Sequence, residues 1–415
     1  MRRIQWFLLL ALTALVVYRG IIPAFTKVDS DFPNYYTSSR LLIKSQSLSR
    51  VYDDDWFQQQ ISALGIDQQG KFSPFPPITS VLMVPLAGFS ALAALRIWTA
   101  LNIMFAAASV VMIRKIVGRS LLSCALLTLL SGIALINNFR LGQAYILIHF
   151  LATAGYYLWS ENRPLASGML FGIGAALKYF PLVYLPPLFQ KSSRASGIMT
   201  VGAFLVLSIV GFAFVGAEAS RQFLGVVLGN HAAGLLQNPY ASNFQSWNSL
   251  LRTLFVRDER FNPNPFIHSE LAYTVGICAV LIVSAWLLLY AWKELEPIEA
   301  RRRNEMRFAL LGVWGLLVSP ATATYHFLLL ILPVALLLRE HSSSWKIQEY
   351  VIASVYVLIG FIPYSFFHRF DLHGLLSVLS YPRLFLTSCL FISVVSMASR
   401  PSVSPIDSRI TAVAR

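Results

Sequence analysis

Long apolar runs with almost no charge recur from one end of this sequence to the other, and that repetition limits the fold more than any motif does. The runs are 4–24, 78–113, 121–137, 144–160, 166–189, 198–216, 271–292, 308–318, 327–338, 350–366 and 375–397. A hydrocarbon core about 30 Å thick is crossed by roughly 20 apolar residues in a helix. Charged residues make up only 13% of the 415-residue chain, and its mean hydropathy is +0.62. Soluble domains carry roughly 25% charge, so an ordinary soluble enzyme, a disordered tail protein and a coiled coil are excluded. The expectation is an all-α polytopic membrane protein with about 12 transmembrane helices. Residues 1–398 form one transmembrane domain, and 399–415 form a cytoplasmic tail.

Net charge is +14. In such a chain Lys and Arg gather on cytoplasmic loops beside anionic lipid, so the excess implies membrane lipids rather than nucleic acid as partner. The short basic links are Arg114-Lys115 with Arg119, Lys191 with Arg194, Arg301 to Arg303 with Arg307, and Arg339 with Lys346. Placing them inside sets both termini in the cytoplasm, with the first run, after Arg2-Arg3, as an uncleaved helix. Run 78–113 exceeds one span and reads as a short re-entrant segment after Pro76-Pro77 followed by one crossing. Run 166–189 breaks at Lys178-Tyr179-Phe180-Pro181 and reads as a hairpin with its tip outward. Cys124, Cys278 and Cys389 sit inside apolar runs and read as small core residues.

Polar residues converge on the outer side. The first outer loop, 26–77, carries Asp29, Asp31, Asp53 to Asp55 and Asp67. Its middle reads as interfacial helix anchored by Tyr52, Trp56 and Phe57. A second long outer loop, 217–270, holds Asn230-His231, Asn238, Asn243, Gln245 and Asn248. Asp31 precedes Pro33, so it either caps a helix or offers a carboxylate at the mouth of the bundle. Asp53-Asp54-Asp55 reads as a solvated helix start, not a metal site. Lys178, in a break between apolar segments, either snorkels or meets a phosphate. Arg140 has the same two readings, and Gly142 would let the chain turn so that Gln143 faces a cavity. The amides of Asn243, Gln245 and Asn248, interleaved with Phe244 and Trp247, suit sugar hydroxyls or simply fix their own loop. His326 reads as structural or as part of the site. No P-loop, dinucleotide fingerprint or HExxH is present in the sequence.

In order, Asp31-Phe32 with Tyr35-Tyr36, Pro74 to Pro77, Gly142-Gln143, Lys178 with Pro181, Asn243 to Arg252, and Ser319-Pro320 with Tyr325-His326 resemble glycosyltransferase family 87. These are GT-C-type membrane enzymes that use polyprenyl-phosphate-linked sugars, typically mannose. The resemblance implies a GT-C-like bundle in the bacterial cytoplasmic membrane, with its active site facing the periplasm or cell exterior. It implies inverting transfer from a polyprenyl-phosphate sugar to a lipid or glycan acceptor, with no cofactor and no metal. Asp31, or Asp29 two residues earlier, would be the base, and His326 would assist acid–base work or hold phosphate. Lys178 and Arg140 would stabilise the leaving phosphate. Tyr35, Gln143, Asn243, Gln245 and Asn248 would contact sugar or acceptor. After Gly-Gln the family pattern has Asn, whereas this chain has Ala144-Tyr145. The rivals are a transporter or flippase of lipid-linked sugars, which should show inverted repeats and polar groups at the midplane, and a structural envelope component.

Overall fold

A computed structural model describes residues 2–191, 193–339, 347–362 and 374–399. The tail from residue 400 onward, Lys346 and the end of run 350–366 lie outside the described residues. Among those described, helices account for the regular structure, and the one β pairing is the isolated bridge between Asp258 and Asn262. By length and composition, four helices can cross a bilayer: Arg2–Thr26, Ala91–Val117, Arg194–Ala232 and Glu270–Glu294. The number rises to six if two bent pairs each count as one span.

That count falls short of about 12 because the apolar runs are broken more often than hydropathy alone reveals. Run 121–137 bends by 74° between Leu121–Leu129 and Ile133–Arg140. The hinge contains Gly132, at φ +58°, and an added Cβ there would lie 2.4 Å from the Gly360 carbonyl oxygen. Run 78–113 divides into two 3₁₀ turns, Pro77–Val81 and Val84–Leu86, and then the 27-residue helix Ala91–Val117. Pro85 lacks the donor that would carry a ladder on from Pro77–Val81, which accounts for the break between the two turns. Run 166–189 becomes the helix Pro164–Leu177, a break at Lys178, the 3₁₀ turn Phe180–Tyr184 and the short helix Leu185–Leu188.

The main apolar core joins the bundle helices, and a second core lies under the first outer loop. This second core revises the interfacial reading. The loop does form two helices, Phe32–Ile43 and Asp54–Ala63, but the first is buried along most of its length. Ser39 Oγ donates to Ser80 O at 2.6 Å and accepts from Met83 N at 3.1 Å, fastening that helix to the 3₁₀ turns. Tyr52 and Phe57 are core residues rather than lipid anchors, with the Tyr52 ring packed against Phe72 and Phe223. Asp53, half-buried, caps the second helix by accepting from Trp56 N at 3.0 Å, and Asp54 and Asp55 are exposed, so this acidic run is a solvated helix start. The three cysteines are free, with Cys124 buried.

The Gly132 hinge gives a direct test. Gly132→Ala combines a left-handed backbone with a steric conflict, and it should cost about 1–3 kcal/mol of stability, read as a lower unfolding temperature in detergent.

Candidate functional site

A cavity of about 520 Å³ opens where the first outer loop, the Lys178 break, the second outer loop and the 319–326 segment meet. Asp31, Gln143, Tyr145, Lys178, His231 and His326 share its wall, together with Phe75, Tyr179 and Trp314.

Asp31 is held from below. It occupies the cap position before the helix Phe32–Ile43, yet its side chain makes no capping bond. Instead Oδ2 accepts from Gln143 Nε2 at 2.7 Å, and Gln143 Oε1 in turn accepts from the Tyr35 hydroxyl at 2.7 Å. Tyr35 fixes which end of the Gln143 amide faces the carboxylate. Gly142 makes this possible: at φ +65°, an added Cβ would sit 2.8 Å from Phe32 Cβ. Its carbonyl accepts from Trp98 Nε1 at 3.0 Å, locking the turn. Burial raises the Asp31 pKa above its ordinary value, while the Gln143 hydrogen bond and the nearby Lys178 charge pull it down.

Lys178 is extended at the end of the helix Pro164–Leu177, where Pro181 prevents the ladder from continuing. Its ammonium lies 4.1 Å from the Phe75 ring centroid, 5.2 Å from Tyr145 and 5.7 Å from Tyr35. An aromatic cradle of this kind attracts a cation without neutralising it. Among the described residues Lys178 has no carboxylate in salt-bridge contact, so its charge remains available to an anionic ligand.

His326 Nδ1 accepts from the Ala323 N–H at 3.0 Å. That bond puts the proton of a neutral imidazole on Nε2. The ring is packed between Tyr145, 4.5 Å away by centroid, and Tyr325, at 4.8 Å. Asn138 Nδ2 donates to Tyr325 O at 3.1 Å, tying this segment to the helix that carries the Gln143 turn. The arrangement suits His326 to donating a hydrogen bond more than to accepting a proton.

Several sequence candidates lie elsewhere. Arg140 Nε pairs with Asp29 Oδ2 at 3.0 Å, and neither residue lines the cavity. Two residues of offset therefore separate a carboxylate in the cavity wall from one already committed to a guanidinium. Tyr35 is fully buried behind Gln143 and does not line the cavity, but its ring packs on Phe75 and lies 5.7 Å from the Lys178 ammonium. Gln245 is used structurally: Nε2 donates to Ser380 O at 2.8 Å, and Oε1 accepts from Arg383 N at 3.0 Å. Asn248 Nδ2 reaches Ala233 O at 3.1 Å and Pro320 O at 3.2 Å, while its Oδ1 accepts from Tyr273 OH at 2.6 Å. Asn243 is likewise outside the cavity wall, with Oδ1 buried. Asn248 ties the 231–234 and 319–326 segments together and Gln245 ties the loop to residues 380–383, so for these two the geometry favours the reading in which the amides fix their own loop.

Tyr145 and His231 were not candidates. Tyr145 is hidden at the start of an apolar run, whereas His231, a titratable residue in an amide-rich outer loop, gave a usable signal. The Gln245 lattice yields a test. Gln245→Ala leaves buried backbone groups unpaired and should cost about 1–3 kcal/mol, seen as a lower melting temperature, while any sugar-substrate affinity is retained. Unchanged melting with weakened sugar binding would return Gln245 to the substrate site.

Residues 74–320, more than half of the chain, match the model of Glycosyltransferase family 87. The matched interval contains Gln143, Lys178 and His231, whereas Asp31 and His326 flank it. The polyprenol-phosphate-mannose-dependent alpha-(1-2)-phosphatidylinositol mannoside mannosyltransferase of Mycobacterium tuberculosis is 22% identical over 191 residues, covering 46% of this chain and 40% of that protein. The protein of the same description from Mycolicibacterium smegmatis is 22% identical over 213 residues, or 50% of this chain and 45% of that protein. The match thus spans less than half the length of either curated relative. On the extent of the family match, this chain belongs to glycosyltransferase family 87.

Proposed function

We propose that the protein is a membrane mannosyltransferase. It moves a mannosyl residue from polyprenyl phosphate to a lipid or glycan acceptor at the extracytoplasmic face of a bacterial cytoplasmic membrane. The observation that carries the reading is the placing of Asp31 and Lys178 on the wall of one cavity at one end of a helical bundle. The curated relatives' descriptions name polyprenol-phosphate-mannose and a phosphatidylinositol mannoside, and they support the donor class and the kind of acceptor.

In this reading Asp31 takes the proton of the acceptor hydroxyl as its oxygen attacks the sugar C1. The bond from C1 to the phosphate oxygen breaks on the opposite face, so configuration inverts. The electron pair leaves with polyprenyl phosphate, whose growing negative charge is met by the Lys178 ammonium and by the His326 Nε2–H. Gln143 keeps Asp31 oriented, and its bond leaves Oδ1 without a protein partner among the described residues. Phe75, Tyr145 and Tyr179 supply flat apolar surface suited to sugar C–H faces. The lipid-linked sugar is the substrate, and the chemistry requires no cofactor. A transporter of the same lipid would move the donor without consuming it, so product formation in reconstituted vesicles separates the two readings.

Asp31→Asn should lower transfer by about 10²–10⁴-fold with donor binding retained. Lys178→Ala should instead weaken the donor by roughly 10- to 100-fold, since a hydrogen bond to a charged group is worth about 1.5–3 kcal/mol. Full transfer by Asp31→Asn, assayed with synthetic polyprenyl-phosphate mannose and extracted lipids, would dismiss the base assignment.

The pH profile gives an independent check. Asp31 works ionised, so the rate falls as pH drops through its pKa, which burial places above 3.8. Gln143→Leu removes a hydrogen bond that lowers this pKa. The acid limb of the rate profile should therefore move to higher pH in that variant.

A further inference from the structure

A second cavity, of about 680 Å³, lies at the opposite end of the bundle. The basic end of the helix Ala91–Val117, the 160–164 turn and the starts of the helices Arg194–Gln222 and Ala300–Leu317 enclose it. Glu305 is 1% exposed in its wall, and Arg339, Arg301 and Arg302 all contact it, the last two at 3.4 Å. Counting Lys115, four cations stand against Glu161, Glu299 and Glu305, which leaves a surplus of one positive charge, with Arg302 set behind the cavity wall. Arg302 is further used on the Leu336 and Leu337 carbonyls, at 2.8 and 3.4 Å, whereas Arg301 is 64% exposed at the mouth. The Lys115 ammonium lies on the wall, 5.5 Å from the Tyr157 ring centroid.

The carboxylates do not cancel this excess. Glu299 is committed to the start of its helix, accepting from Arg301 N at 3.1 Å and Arg302 N at 3.2 Å. Glu161 lies exposed on the rim, and it and Glu299 are the carboxylates without a cationic partner among the described residues that would oppose an anion there. The second observation is a set of orphaned polar atoms in the same wall. Trp159 Nε1, Ser196 Oγ and Asn304 Oδ1 are buried without a hydrogen-bond partner among the described residues, and Ser196 is fully buried. Buried polar groups are normally paired, so a polar occupant is called for.

We propose that this cavity binds a phosphate group, carried either by an anionic phospholipid of the adjacent leaflet or by a free phosphate compound. A phosphate presents several acceptor oxygens at once, which suits the fork of Arg301, the point charge of Lys115 and the Trp159 and Ser196 donors. Basic pockets between membrane helices on the positive side are a recurrent means of holding such headgroups. This site is independent of the transfer chemistry at the other end.

The test uses the full-length protein, stripped of lipid in detergent. Bound phospholipid per protein is measured in mixed micelles of phosphatidylglycerol or phosphatidylcholine, and thermal stabilisation is measured with inorganic phosphate against chloride at equal ionic strength. A preference for phosphatidylglycerol that falls at least fivefold in Arg301→Gln and Lys115→Gln identifies a lipid site. Stabilisation by inorganic phosphate that both variants lose identifies a site for soluble phosphate. Arg260→Gln, an exposed cation that lines neither cavity, should behave as wild type in both arms. If Arg301→Gln fails to fold, Lys115→Gln carries the test, because Lys115 makes no ion pair among the described residues. Equal binding by wild type and variants, or no preference for either phosphate probe, overturns the proposal.

Discussion

The hydrogen bond from Gln143 to Asp31 is the interaction on which the cavity shared by Asp31 and Lys178 depends. An ionised carboxylate in a wall built largely of aromatic and aliphatic groups is costly unless donors meet it. Lys178 compensates only through space, so the direct partner is an amide. A guanidinium in that place would neutralise the carboxylate, as Arg140 does for Asp29 a few residues away. An amide orients the carboxylate and leaves it able to take a proton. Tyr35 completes the arrangement by occupying the amide oxygen, which prevents Gln143 from turning its other end toward Asp31.

The surrounding breaks in the helices serve the same end. Lipid requires backbone groups to be paired within the segment, and irregular backbone is tolerated only where it is buried in protein or lines a cavity. Here the irregular pieces, the 77–86 turns, the Lys178 break and the Thr324–Leu330 turn, are covered by the second core or border the cavity. The amide-rich second long loop joins them through one backbone and one side-chain bond: Gln245 N donates to Thr322 O at 2.9 Å, and Ser246 Oγ donates to Pro320 O at 2.9 Å. Its polarity serves to hold the segment that carries His326.

The two ends of the bundle use charge differently. At the end that carries Asp31, one carboxylate and one ammonium stand on a shared wall, each held by neighbours that do not cancel it. At the other end, Glu305 is surrounded by arginines, so the carboxylate is spent and the surplus is positive. The first pattern suits proton and phosphate handling, and the second suits holding an anion.

Much of this was legible in the sequence. Low charge and repeated apolar runs determined an all-helical membrane chain, because lipid allows few other solutions, and a lysine three residues before a proline within such a run pointed to a residue that lines a cavity, because an unpaired charge in an apolar run is rarely idle. Periodicity could not count the spans, since a bend at Gly132 and 3₁₀ turns at Pro77 and Pro85 leave hydropathy unchanged while shortening the helices. Nor could it distinguish Asp29 from Asp31, or sugar-facing amides from structural ones. Those distinctions depend on which partner lies within about 3 Å, and Gln143, more than 100 residues from Asp31 in the chain, reaches it only when the bundle has closed.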